Sequence, residues 1–276
     1  MTQENLMTGI SIIIVTSGQN DAGLNQIIDS VEKLSIPNYE ILVVGGLTTT
    51  LARENTIHIP FDETLLNGGI WLTKKKNLGV KNSKYDVLVI MHDYHIFEPD
   101  WYIEFEKFGL DWDICVHQIR HSTEQANVRG NGWRVEQVPG YPEIPYAMSI
   151  PWDIDCFIPY MPIQGSYWVA KKHVMLEQPL DESLELTGAT DSDIEWSSRV
   201  VPGWKGSKVD QIGYNVVSNP NCRLHLNKIK ATYPGNPDWD LYERSMYPLW
   251  NFLRTGGRKS GTYHYERSIN KVVRAS

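Results

Sequence analysis

Hydrophobic residues in the first third of this chain come mostly in unbroken runs rather than in alternation. Gly9-Ile-Ser-Ile-Ile-Ile-Val15, Tyr39-Glu-Ile-Leu-Val-Val44 and Tyr85-Asp-Val-Leu-Val-Ile-Met91 are the clearest. A strand without alternation has both faces buried, as in a parallel sheet covered by helices. Between the first two runs, Leu24, Ile27, Ile28, Val31 and Leu34 recur at helical spacing, and Pro37-Asn38 closes that helix. This is a βαβ unit, for which a right-handed crossover is expected. Ile57-His-Ile59 reads as a short third strand, and a helix opens at Asn67-Gly-Gly and continues through Lys74-Lys-Lys-Asn77 to Val80.

Downstream the pattern changes. Helices are expected over Trp101 to Phe108, from Lys172 to Leu176, and over Asp191 to Val201 with Asp191 or Ser192 as N-cap. Strands are expected at Asp113–His117, Tyr167–Ala170, Tyr214–Val217 and Cys222–Leu226. Residues 121–162 are rich in glycine, proline and aromatics and show no period, and the tail after Tyr233 reads as a helix plus a loosely attached extension. The expected architecture is α/β, with a mostly parallel central sheet flanked by helices.

Length and charge narrow the function. The chain has 276 residues, enough for one large domain with a sizeable core. Its net charge of -7 argues against a general nucleic-acid binder, which needs a basic surface. Cys115, Cys156 and Cys222 are far apart and odd in number, which suits a reducing compartment. No apolar stretch approaches the ~20 residues of a membrane span, and the N-terminus lacks signal-peptide character. A cytoplasmic protein is expected, with peripheral contact at the inner face of the membrane as a further option.

Candidate chemistry begins at Asp93-Tyr94-His95, just past the most hydrophobic strand. In open α/β sheets ligands bind beyond the carboxyl ends of the strands. A carboxylate and an imidazole two residues apart there can share a divalent cation. A polar strand end before a turn is the plainer alternative for such a common triplet.

Four local matches then appear in order. Ser11-Ile-Ile-Ile-Val-Thr16 and its following helix, Asn67-Gly-Gly69 through Lys76-Asn77-Leu-Gly79, Val87 to His95 followed by Pro99-Asp-Trp101, and Gln164-Gly-Ser with Asp191 to Arg199 resemble the GT-A nucleotide-sugar glycosyltransferases, above all family two. Two departures stand out. Gly45-Gly46 replaces the aspartate that reads the nucleobase in that family, and the family's D-x-D is altered here. Aligned on Trp101, its outer positions are His92 and Tyr94; read as D-x-H, Asp93 and His95 resemble the motif of the polypeptide N-acetylgalactosaminyltransferases.

The resemblance implies a metal-dependent glycosyltransferase, inverting, with a nucleotide-diphosphate sugar as donor and a glycan, lipid-linked or small-molecule acceptor. Retaining transfer, or a GT-A binding module without catalysis, are the alternatives. It implies a GT-A domain over residues 1–232, with a nucleotide half to about residue 100 and an acceptor half after it, and residues 233–276 as a C-terminal extension. Mn²⁺, or Mg²⁺, would be held by Asp93 and His95, with His92 as rival to His95 and His225 as third ligand; imidazole leans the choice towards Mn²⁺. Thr16, Ser17, Gly18, Gly45, Gly46, Lys76 and Asn77 would contact the nucleotide together with Asp93. Asp193 is the expected base, with Asp191 competing. Trp152, Asp153, Gln164 and Gly165 are expected on the acceptor side. The lysines at 74 and 75 read as a solvated helix face.

Overall fold

The computed structural model describes residues 9–18, 20–47, 51–62, 71–120, 163, 165–183, 192–201, 213–226, 263–266 and 271–274. The expected βαβ unit forms: β1 (Ile10–Thr16), α1 (Asp21–Glu32) and β2 (Tyr39–Gly45), with β1 and β2 parallel. Every residue of β1 is buried, and so are Leu24, Ile27, Ile28 and Val31 on the sheet-facing side of α1. Each such side chain contributes roughly 1.5–3 kcal/mol on burial. β3 (Thr56–Ile59) extends the sheet beside β2, and β4 (Val87–His92) pairs parallel to β1 on the other side. Between them α2 (Leu72–Asn82) packs on β1 and β2. The contact is close: a Cβ on Gly79 would lie 2.3 Å from Ile13 Cγ2.

The second half adds β5 (His95–Phe97), α3 (Trp101–Phe108), β6 (Ile114–Arg120), β7 (Tyr167–Lys171), α4 (Lys172–Glu177), α5 (Ser192–Val200) and β8 (Val216–Leu226). Among the described residues the sheet has eight strands in the order β3-β2-β1-β4-β7-β6-β8-β5. β7 runs antiparallel to β4 and β6, and β5 runs antiparallel to β8; the other strands share one direction. This confirms the expected α/β architecture with a mostly parallel sheet.

Two expectations are corrected. The two late strands are one, β8, interrupted by a bulge: His117 pairs with Asn219 and the next residue, Gln118, pairs with Arg223. Pro220 lies inside the bulge and has no N–H to give a ladder, so the periodicity breaks there although the strand continues. β5 was not expected, because the Asp93 to Pro99 stretch reads as a turn; it forms by pairing Ile96 with His225. In the tail, β9 (Tyr263–Glu266) and β10 (Lys271–Arg274) make a two-stranded antiparallel sheet. The helix expected in that tail, residues 121–162 and the start of the helix at Asn67 lie outside the described residues.

Under the second half of the sheet the core is aromatic and partly polar. Trp101 stacks on Phe105, and its Nε1–H donates to His117 Nδ1 and Tyr167 Oη, each at 3.2 Å. His117 Nδ1 also pairs with Tyr167 Oη at 2.7 Å. Burial pulls the His117 pKa from 6.5 down to about 3. The folded protein therefore keeps this ring neutral, while the unfolded chain protonates it below a pH of about 6.5. The stability is present above that value and is lost as pH falls towards 3, by about 1.4 kcal/mol per pH unit for this group. Melting temperature should decline less steeply with acid in a His117→Gln variant than in the wild type. Parallel profiles would show that another group carries the acid sensitivity.

Candidate functional site

The carboxyl ends of β1 and β4 and the amino end of β7 meet at one edge of the sheet. They do so because β7 is antiparallel to β4, pairing Tyr167 with Met91, so the residues before β7 lie beside the residues after β4. The His92 amide donates to Ser166 O at 3.0 Å across that junction. α2 packs on β1 and β2, and its lysines reach Thr16 and Gly165 at the same edge.

Asp93 follows β4 and is buried. Thr16, the last residue of β1, donates its hydroxyl to Asp93 Oδ2 at 2.7 Å and accepts from the Gly18 amide at 3.1 Å. Asn20 donates from Nδ2 to Asp93 O at 3.0 Å, and its Oδ1 caps α1 by accepting from the Gly23 amide. Gly18 has φ +75°, and a Cβ there would lie 2.8 Å from the Gly46 carbonyl carbon. The turns after β1 and β2 therefore touch backbone to backbone, which explains glycine at 18 both sterically and conformationally. Ser17 is half-buried in the first turn, and Gly45 O pairs with His58 Nε2 at 2.8 Å in the second.

The lysine run is not a solvated face. Lys75 is fully buried and Lys76 nearly so. Lys75 Nζ donates to Thr16 O at 2.9 Å. Lys76 Nζ donates to Gly165 O at 2.5 Å and lies 4.9 Å from the centre of the Trp168 ring. Lys74 sits over the Trp71 ring at 3.9 Å. The identical side chains in this run hid the difference between solvent-facing and sheet-facing positions. Asn77, expected at the nucleotide, instead clamps the segment after α4: it donates to Leu180 O and Glu182 Oε1 and accepts from the Leu180 amide.

Asp193 lies in the first turn of α5. Its Oδ2 accepts from the Gly165 amide at 2.8 Å, and its backbone oxygen accepts from Ser197 Oγ at 2.6 Å. Ser197 Oγ in turn accepts from the Ile163 amide at 2.7 Å. A Cβ on Gly165 would lie 2.8 Å from Asp193 Cγ, so this close contact requires glycine. Asp191, Gln164, Trp152 and Asp153 lie outside the described residues.

The three expected metal ligands do not converge. Among the described residues no group of three His, Cys, Asp or Glu side chains is placed to hold a metal ion. His225 lies opposite Ile96, and its Nδ1 pairs with Glu98 Oε1 at 3.0 Å. His95 is buried, its ring stacked on Tyr167 at 6.0 Å, with Nε2 3.4 Å from Ser166 Oγ and Nδ1 without a hydrogen-bond partner. Burial, and secondarily the nearby His225, lowers its pKa to about 3. A neutral imidazole with an unused nitrogen is the state a metal ligand needs. The rival, His92, pairs through Nδ1 with Tyr94 Oη at 3.0 Å. A carboxylate and a neutral imidazole are donor types that a divalent cation accepts, but the described residues form no three-residue protein cage. Sequence reading missed Asn20, Lys75, Ser166 and Ser197. Of these only Asn20 carried a readable signal, as an N-cap residue before a periodic helix.

This sheet, a parallel half joined through an antiparallel strand with polar groups gathered at the carboxyl edge, has the GT-A fold. Solved structures agree. TarS 1–349 of S. aureus matches with a TM-score of 0.54 at 11% identity, over 82% of this chain and 63% of that one. The same protein in complex with UDP-GlcNAc matches at 0.53 and 11%, over 80% and 59%. GalNAc-T7 with UDP, GalNAc and Mn²⁺ matches at 0.55 and 15%, over 94% and 53%. The chain thus spans about 63% of TarS 1–349. No family model and no curated protein matches it. Among the described residues no helix is long and apolar enough to cross a membrane.

Proposed function

We propose that this chain transfers a sugar from a nucleotide-diphosphate donor to an acceptor hydroxyl, with inversion at the anomeric carbon. The observation that carries this reading is the bond from Thr16 to Asp93, which joins the ends of β1 and β4 at the ligand-binding edge of a GT-A sheet. The fold neighbours described above include complexes with UDP-GlcNAc and with UDP and Mn²⁺.

In the proposed site the Thr16–Gly18 and Gly45–Gly46 turns receive the nucleotide. With no aspartate after β2, base recognition falls to backbone groups there. Asp93 with His95, or with His92, would hold Mn²⁺ or Mg²⁺ against the diphosphate. Such a cation would neutralise the charge that develops on the leaving group. Asp193 takes the acceptor's proton as the acceptor oxygen bonds to the anomeric carbon, while the bond to the diphosphate breaks and its electron pair leaves with the phosphate. Asp191 is the competing base, and Trp152, Asp153, Gln164 and Gly165 border the acceptor. The division at about residue 100 and the separate segment from 233 belong to the same proposal, as do a cytoplasmic location and contact with the inner membrane face.

A panel of UDP- and GDP-sugars, with and without Mn²⁺, tests this by thermal shift and by sugar transfer. A donor at about 100 times its Kd should stabilise the fold by roughly 2.7 kcal/mol. A shift without turnover would favour the binding module. Neither shift nor turnover with any donor would overturn the proposal.

A further inference from the structure

Adjacent lysines on α2 reach two different carboxylates through one intermediary each. Lys75 donates to Thr16 O, and Thr16 donates its hydroxyl to Asp93. Lys76 donates to Gly165 O, and the Gly165 amide donates to Asp193. Thr16 ends the first strand and Gly165 precedes β7, so the two connections serve opposite sides of the sheet edge. Neither ammonium is on a solvated face, and α2 is itself locked to β1 by the close contact of Gly79 with Ile13.

We infer that α2 acts as a spacer that sets Asp193 relative to Asp93, with Lys76 as a positioning residue for Asp193 and Lys75 for the Thr16–Asp93 pair. The inference rests on the reading of Asp193 as base and Asp93 as donor-side ligand. It moves Lys76 from the nucleotide to the acceptor side. The chemistry favours this. The carbonyl of Gly165 is polarised and restrained by a charged donor, and charge-assisted bonds are roughly twice as strong as neutral ones. The same residue's amide donates to Asp193 Oδ2, and its Cα lies so close that a Cβ would meet Asp193 Cγ at 2.8 Å. Gly165 has soft backbone dihedrals on either side of its Cα, so a restraint on its carbonyl narrows the conformations open to its amide, and losing that restraint loosens the bond that aims the carboxylate.

The test separates this relay from the catalytic reading. Lys76→Met preserves bulk over Trp168 and removes the ammonium. It should lower kcat on the order of 10–10²-fold, as expected for a misplaced catalytic group, while leaving the donor Kd unchanged. Lys76→Arg should restore most of the lost turnover. In protein labelled with nitrogen-15 at glycine, hydrogen exchange of the Gly165 amide should accelerate in Lys76→Met. Lys75→Met should instead weaken UDP or GDP binding in the presence of Mn²⁺ and leave Gly165 exchange alone. If burial makes Lys75→Met unfold, Thr16→Val removes the same link to Asp93 and should give the same loss. Unchanged Gly165 exchange in Lys76→Met overturns the relay whatever the activity does. A raised donor Kd in that variant, with kcat intact, returns Lys76 to the nucleotide and also overturns it. If wild-type protein transfers no sugar from any donor, the proposed function fails, and the exchange experiment still decides whether Lys76 holds Gly165 against Asp193.

Discussion

Asp193→Asn is expected to reduce turnover by about 10²–10⁴-fold, the usual contribution of a general base. Donor binding should stay nearly unchanged, because the proposed donor site lies around Thr16 and Asp93, outside the helix that carries Asp193. The amide side chain keeps an oxygen that can accept from the Gly165 amide, so the local fold should survive the exchange. What it loses is the capacity to take a proton, which matters in the transition state and not in the ground state. Steady-state kinetics with a fixed donor, together with donor titration by calorimetry, reads both quantities. Full activity in Asp193→Asn with a large loss in Asp191→Asn would move the base two residues upstream. If neither carboxylate matters and the product keeps the donor's anomeric configuration, the retaining mechanism replaces the inverting one.

Asp93→Ala should abolish Mn²⁺-dependent nucleotide binding. Asp93 is the carboxylate at the end of the central strand and is held there by Thr16 and Asn20. Its removal leaves the Thr16 hydroxyl and any bound cation without their anionic partner. Calorimetry with UDP and GDP, with and without Mn²⁺, measures the effect, and retention of wild-type affinity with Mn²⁺ present would remove Asp93 from the metal site. His95→Ala and His92→Ala distinguish the two candidate imidazoles. His95 is the stronger expectation, because burial keeps its ring neutral. A larger loss at His92 would assign the cation to the other register. His225→Ala tests the third ligand: its Nδ1 is paired with Glu98, which leaves Nε2 as the nitrogen that would face a cation.

Local patterning accounts for most of the regular elements. Continuous apolar runs put β1, β2 and β4 in the centre of a parallel sheet, because a strand with two hydrophobic faces is stable only between two layers. The 3.6-residue period of Leu24 to Leu34 likewise required α1 to lie on that sheet. Asp93 was legible as a candidate for the same reason: it is the first carboxylate after the most buried strand, at the edge where such sheets bind ligands. Asp193 was legible only through resemblance, and its contact with Gly165 was not.

Tertiary structure decided what depends on partners distant in sequence. β5 exists because His95 to Phe97 meets Leu224 to Leu226, more than a hundred residues later, and nothing in its own three residues demands a strand. The bulge that fuses the late strands depends on the register of β6 against β8. The same dependence set His225 opposite Ile96 and beside Glu98, a placement that the residue types alone do not reveal. Lys74, Lys75 and Lys76 show the limit most clearly. Their chemistry is identical in sequence, yet helix rotation places one over Trp71, one under Thr16 and one against Gly165. Hydrophobic periodicity reports which face of an element is buried, because burial is a property of the side chain itself. Which carboxylate a buried ammonium serves is a property of the pair, and only the packed fold brings the pair together.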